Sequence, residues 1–250
     1  MPKRPSTIIF DLFDTLVDVD WAALPRRRVG TRERVVTIDG IDELLIEAKS
    51  GLSLEVFFDH LDAANGIIGN WKGDSDCEVS SAHRFRLALE RAGVSSRRNG
   101  IAVEMSLRHM RTLASVIRFP DTRRDVLIEL RREYSLGLVS NFDHGPTGRA
   151  LLQLCGIEQY LDSALISDEM GLRKPSSLLF LHACRLLDVA PAEAWYIGDS
   201  FEADVLGATR AGLEAVWVNS GTEPAYPALG RIPDVAELPR FLRQRLEAGL

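Results

Sequence analysis

Four short apolar runs in this chain end in residues that can do chemistry. Asp11 follows Ser6–Phe10, and Ser140 closes Leu136–Ser140 with Asn141 next to it. Lys174 lies a few residues past Ala164–Ile166, and Asp199 follows Ala194–Ile197, with Asp204 a helical turn beyond. A carboxylate can attack phosphorus and form an acyl-phosphate, which splits one hard displacement into two. Its own charge repels a phosphate. Mg²⁺ between them removes that barrier, and it is held by few carboxylates plus water. In this scheme Asp11 is the nucleophile and Lys174 screens it and balances the transferring group. Ser140 and Asn141 donate hydrogen bonds to the peripheral oxygens. The residue types fit metal-assisted transfer of an anionic group.

The apolar runs are short and rich in β-branched residues, so they predict buried strands. Glu214–Val218 is a fifth. Helical spacing of apolar residues fills the gaps, over Thr122–Glu133, Thr147–Leu154, Ser176–Leu187 and Glu202–Ala211. Strand–helix alternation predicts an α/β core with a parallel sheet covered on both faces. Ligands collect at the carboxyl ends of such strands, where the polar residues above fall. The stretch from about 17 to 118 differs. Leu54–Ile68, Ser81–Ala92 and Ile101–Ile117 have helical spacing, and strand signals are few. The expected domains are a core of 1–16 and 119–250 and a helical insert of 17–118. Arg26–Arg28 and Arg32–Arg34 lie in a poorly patterned segment and are expected to form a solvated loop.

The chain has 250 residues, 46% hydrophobic and 26% charged, an ordinary globular balance. Its net charge of −6 argues against a nucleic-acid partner. Only four of the basic residues are lysines: Lys3, Lys49, Lys72 and Lys174. Cys77, Cys155 and Cys184 have no metal-ligand spacing, and an odd count without a leader pattern points to a reducing cytoplasm. Thr7–Val17 is too short and too charged to span a membrane. The expected partner is a small molecule.

Four segments, taken together, resemble the motifs of the haloacid dehalogenase superfamily. Phe10-Asp-Leu-Phe-Asp-Thr-Leu-Val17 resembles the first and Leu138-Val-Ser-Asn141 the second. Lys174-Pro175 resembles the third, and Tyr196-Ile-Gly-Asp-Ser-Phe-Glu-Ala-Asp-Val-Leu-Gly-Ala208 the fourth, in its phosphatase form. All occur in the family's order and near its spacings. The resemblance implies a Rossmann-like core with a mobile helical cap. It implies Asp11 as nucleophile and Mg²⁺ ligand, with the Phe13 backbone carbonyl, Asp199 and Asp204 completing the metal set. Thr15 would fix the loop and contact the phosphate.

The sequence departs from the family's phosphatases at Phe13. They carry a second Asp there, which protonates the leaving oxygen and then activates water. A positioned acid/base contributes about 10²–10⁴ in rate. His144, His83 and Asp18 are candidate substitutes. Dehalogenase branches also lack that Asp, but they need no metal and have Ser where this chain has Asp199. The expected function is therefore a Mg²⁺-dependent phosphatase on a small phosphorylated metabolite. The alternatives are a metal-independent dehalogenase of small halo-acids, and a binding or regulatory protein that has lost most of its catalysis. Trp195 and Trp217 read as packing residues, and Cys155 and Cys184 as core.

Overall fold

The computed structural model describes residues 4–48, 51–95, 100–221 and 227–247. The chain divides into two compact units, 1–19 with 118–250, and 20–117.

The first unit is built on six parallel strands: β1 (Thr7–Phe10), β2 (Ser135–Ser140), β3 (Ser163–Ile166), β4 (Ala194–Gly198), β5 (Glu214–Val218) and β6 (Gly230–Ile232). Their order across the sheet is β6-β5-β4-β1-β2-β3. β1 is thus central, with Phe10 in register with Leu138 on one side and Ile197 on the other. Every residue of β1 and β4 is buried. Near-continuous apolar strands are what a sheet covered on both faces requires. On one face Ile9, Val139 and Tyr196 pack with Leu179, Phe180 and Val205. The α/β parallel-sheet fold is as the alternation predicts.

Helices Asp121–Leu130, Gly145–Leu154 and Ser177–Leu186 fall within the predicted segments or extend them by a residue or two. The expected helix over Glu202–Ala211 instead opens as a wide π-helical turn, Phe201–Leu206, before one α-turn, Gly207–Arg210. β6 is unexpected from sequence. It is three residues long at the sheet edge, and only Ile232 is fully buried, so no pattern marks it.

The second unit packs helices Ile41–Glu47, Leu54–Ser75, Ser81–Arg91 and Ile101–Ser115. Ser53 and Ser80 cap two of them, their hydroxyls accepting from the Val56 and His83 amides at 3.3 Å each. Its core holds Phe57, Phe85, Leu89 and Met105. The solvated loop expected for the arginine-rich stretch is corrected to an antiparallel hairpin, Arg26–Val29 with Arg32–Val35. Gly30, at φ +57°, supplies the left-handed residue of its two-residue turn. The arginines lie along the hairpin rather than dissolving it. Arg34 stacks on Phe58 at 5.3 Å and pairs with Asp62 at 2.8 Å, and Arg27 pairs with Asp42. No helix among the described residues is long and apolar enough to cross a membrane.

Candidate active site

The carboxyl ends of β1, β2 and β4 bring the predicted residues together. The Asp11 amide donates to the Ile197 carbonyl at 2.9 Å, so the sheet itself fixes the start of the nucleophile loop. The loop then turns sharply. Asp14 sits at φ +56°, a conformation that Asp tolerates better than most residues. The amides of Leu16 and Val17 both return to the Leu12 carbonyl at 2.9 Å. Thr15 is fully buried, with its hydroxyl 3.5 Å from Asp199 Oδ1, at the outer limit of a hydrogen bond.

One carboxylate oxygen each from Asp11, Asp199 and Asp204 lies within 4.8 Å of the others. The Asp204 carboxylate is drawn inward because residue 198 is Gly: a Cβ there would meet Asp204 Cγ at 2.4 Å. The wide turn after β4 carries Asp204 back so that it accepts from the Ser200 amide at 2.9 Å. π-turns of this kind often occur at functional sites. Asp199 is anchored from behind, its carbonyl accepting from Trp217 Nε1 at 2.8 Å. Trp217 is therefore a packing residue, as expected, that also holds this loop.

Lys174 is buried among these acids. Its Nζ donates to Asp11 and Asp204 at 2.6 Å each and to the Tyr196 hydroxyl at 2.9 Å. Asn141 brackets the lysine's backbone. Its Oδ1 accepts from the Lys174 amide at 2.7 Å, and its Nδ2 donates to the Lys174 carbonyl at 3.0 Å. Ser140 is fully buried, and its hydroxyl has no hydrogen-bond partner among the described residues. An unpaired buried hydroxyl is costly, and binding sites are where such groups persist.

The electrostatics follow from three carboxylates facing one ammonium. Burial pushes the Asp11 carboxyl up to about 8, against the pull of Lys174 and with help from Asp204 and Asp199. Asp199 is raised by burial and then by Asp204. Burial works against the Lys174 ammonium, but Asp11 and Asp204 outweigh it and hold its pKa above the ordinary value. The cluster is short of positive charge, which suits it to a divalent cation.

Phe13 is half-buried, and its ring packs at 47° against Phe142, centroids 5.0 Å apart. The candidate substitutes for an acid/base are engaged elsewhere. Asp18 pairs with Arg123 at 2.7 Å. His144 caps the Gly145–Leu154 helix, its Nδ1 accepting from the Thr147 amide at 3.2 Å. His83 lies in the helical unit, where its Nδ1 meets Arg86. Nothing in the sequence marks Tyr196 for a role, because a tyrosine in a buried strand reads as core.

The family model of the haloacid dehalogenase-like hydrolases matches residues 5–212. The N-acylneuraminate-9-phosphatase of Mus musculus is 35% identical over 132 residues, covering 49% of this chain and 51% of its own length. The phosphoserine phosphatase of Thermus thermophilus is 34% identical over 165 residues, covering 65% of this chain and 64% of its own length. The chain thus spans about half to two thirds of the length of these relatives. Among solved structures, a 2-haloacid dehalogenase from Pseudomonas syringae pv. Tomato superposes with a TM-score of 0.71 at 24% identity, covering 96% of this chain and 99% of that one. That likeness establishes the shared fold. With more than half its length matched by the family model, the chain belongs to the haloacid dehalogenase-like hydrolases.

Proposed function

We propose that the chain is a Mg²⁺-dependent phosphatase acting on a small phosphorylated metabolite through Asp11. The observation that carries this reading is the Asp11–Asp199–Asp204 cluster, with Lys174 paired to Asp11 and Asp204. The phosphatase names of both relatives support it, and their differing substrates leave the class at small phosphorylated metabolites.

In this reading an Asp11 oxygen attacks phosphorus. The P–O bond to the leaving group breaks, and an aspartyl-phosphate forms. Water then attacks phosphorus, releasing inorganic phosphate and regenerating the carboxylate. Lys174 neutralises charge on Asp11 and the transferring group. The Ser140 hydroxyl donates to a peripheral oxygen, Thr15 contacts the phosphate, and Asn141 holds Lys174 in place. Asp11, the Phe13 carbonyl, Asp199 and Asp204 would hold Mg²⁺, whose bound charge screens nucleophile from phosphate. The 20–117 unit, as a cap, would supply the contacts that select the substrate.

Phe13 shapes the expected substrate preference. An aromatic ring cannot protonate a leaving oxygen, so esters with acidic leaving groups should react best. A second reading, a metal-independent dehalogenase, is favoured by Phe13 and its packing against Phe142 but leaves the three-carboxylate cluster without a purpose. Turnover of an aryl phosphate in Mg²⁺ and in chelator separates the two. We expect activity that disappears with chelator. Chelator-insensitive activity, or release of halide from a 2-halo-acid, refutes the phosphatase reading.

A further inference from the structure

Tyr196 is a buried phenol that the scheme above does not use. Its ring packs edge-on against Phe180, centroids 4.9 Å apart, which fixes where the hydroxyl points. The hydroxyl lies 2.9 Å from Lys174 Nζ and 2.9 Å from the Val139 carbonyl oxygen. The carbonyl can only accept, so the phenolic proton is committed to it. The phenol oxygen must then accept from Lys174. An ammonium has three protons, and Asp11 and Asp204 take the other two.

We infer that Tyr196 is a positioning residue: the relay from Lys174 through Tyr196 to the Val139 carbonyl locks the ammonium's rotation, aiming its two remaining N–H bonds at Asp11 and Asp204. Lysine needs such a lock. Its charge sits on a flexible four-carbon stem and has no directional fork of its own. Asn141 fixes the backbone end of that stem, and Tyr196 fixes the other end.

The kinetic consequence rests on the phosphatase reading. The geometric claim does not, and the test keeps them apart. Tyr196→Phe keeps the ring and removes the hydroxyl. Hydrogen exchange of the lysine ammonium groups is followed by NMR in ¹⁵N-labelled protein. With four lysines in the chain, the Lys174 signal is assigned by its loss in Lys174→Met. We expect a slowly exchanging Lys174 ammonium in the wild type and exchange at least about tenfold faster in folded Tyr196→Phe. Equal exchange in the two proteins overturns the inference. On an aryl phosphate, kcat should fall about 10- to 100-fold in Tyr196→Phe, with KM within about twofold. It should fall no further when the change is made in the Lys174→Met background. The same fractional loss in both backgrounds means that Tyr196 acts by packing alone, and the inference fails. A wild type that does not hydrolyse phosphate refutes the phosphatase reading, and the exchange comparison still decides the role of Tyr196.

Discussion

Replacing Asp11 by Asn should stabilise the cation-free protein, and by an amount that depends on pH. The Asp11 carboxyl is pushed from an ordinary 3.8 up to about 8. A carboxyl with a raised folded pKa holds its proton more tightly when folded than when unfolded. The wild type therefore loses stability as pH rises from about 4 to about 8, as this buried group is forced to ionise. The full gap corresponds to about 6 kcal/mol at about 1.4 kcal/mol per pH unit. Relaxation of the site and its effective dielectric reduce this, and about half, ~3 kcal/mol, is the working figure. Asparagine carries no charge, so the variant avoids the cost. In chelator it should match the wild type near pH 4 and exceed it by ~3 kcal/mol near pH 8. For a domain of this size that is a rise in Tm of about 6–12 °C. Mg²⁺ should narrow the gap near pH 8. At about a hundred times its Kd it stabilises the wild type by ~2.7 kcal/mol. The variant has lost an anionic ligand and should gain less. Urea unfolding from pH 4.5 to 8.5, with chelator and with Mg²⁺, gives all four curves. Parallel pH profiles for the two proteins would refute the assignment of the cost to Asp11. Equal stabilisation of both by Mg²⁺ would refute its place in the cation site.

Other predictions follow from single contacts. Asp199→Asn should raise the Mg²⁺ needed for half-maximal activity by at least about tenfold, because a direct anionic ligand is lost; an unchanged Mg²⁺ titration removes Asp199 from the ligand set. Phe13→Asp should raise kcat/KM on alkyl phosphates by up to about 10²–10⁴ and do less for aryl phosphates. Loss on both substrates, in a folded variant, means that the Phe13–Phe142 pair serves other chemistry. Arg123 is buried and bridges Asp18 at 2.7 Å and Asp234 at 3.0 Å. Arg123→Met should cost about 1–2 kcal/mol by urea unfolding, modest because both aspartates are about half exposed; no loss refutes the bridge.

The residues that sequence made legible are those whose position is set by strand periodicity. Asp11, Ser140 and Asp199 stand at or just past strand ends because apolar runs bury and polar residues stop them. Reading the runs therefore locates the residues. What periodicity does not report is which polar groups meet across the sheet. Tyr196 alternates correctly as a core residue of β4, and nothing in its neighbours shows that its hydroxyl reaches the Val139 carbonyl two strands away. Asn141 reads as a donor to ligand, and its amide instead clasps the backbone of a residue thirty-three positions later. The arginine-rich hairpin was hidden for the opposite reason. Its residues are mostly exposed, so no apolar alternation marks its strands, and only Gly30 hints at a turn.

Lys174 shows why such contacts escape a linear reading. Its three acceptors come from the loop after β1, from β4 and from the turn after β4, and none lies within twenty residues of it. The sequence places Lys174 beside the nucleophile, but nothing around it in the chain shows which groups its ammonium meets. Asp11 and Asp204 favour its ammonium against burial, and Lys174 in turn opposes the burial that raises Asp11. Asp11 and Lys174 thus each bear on the other's state. Removing Lys174 should raise the Asp11 carboxyl further, and only the folded arrangement specifies that dependence.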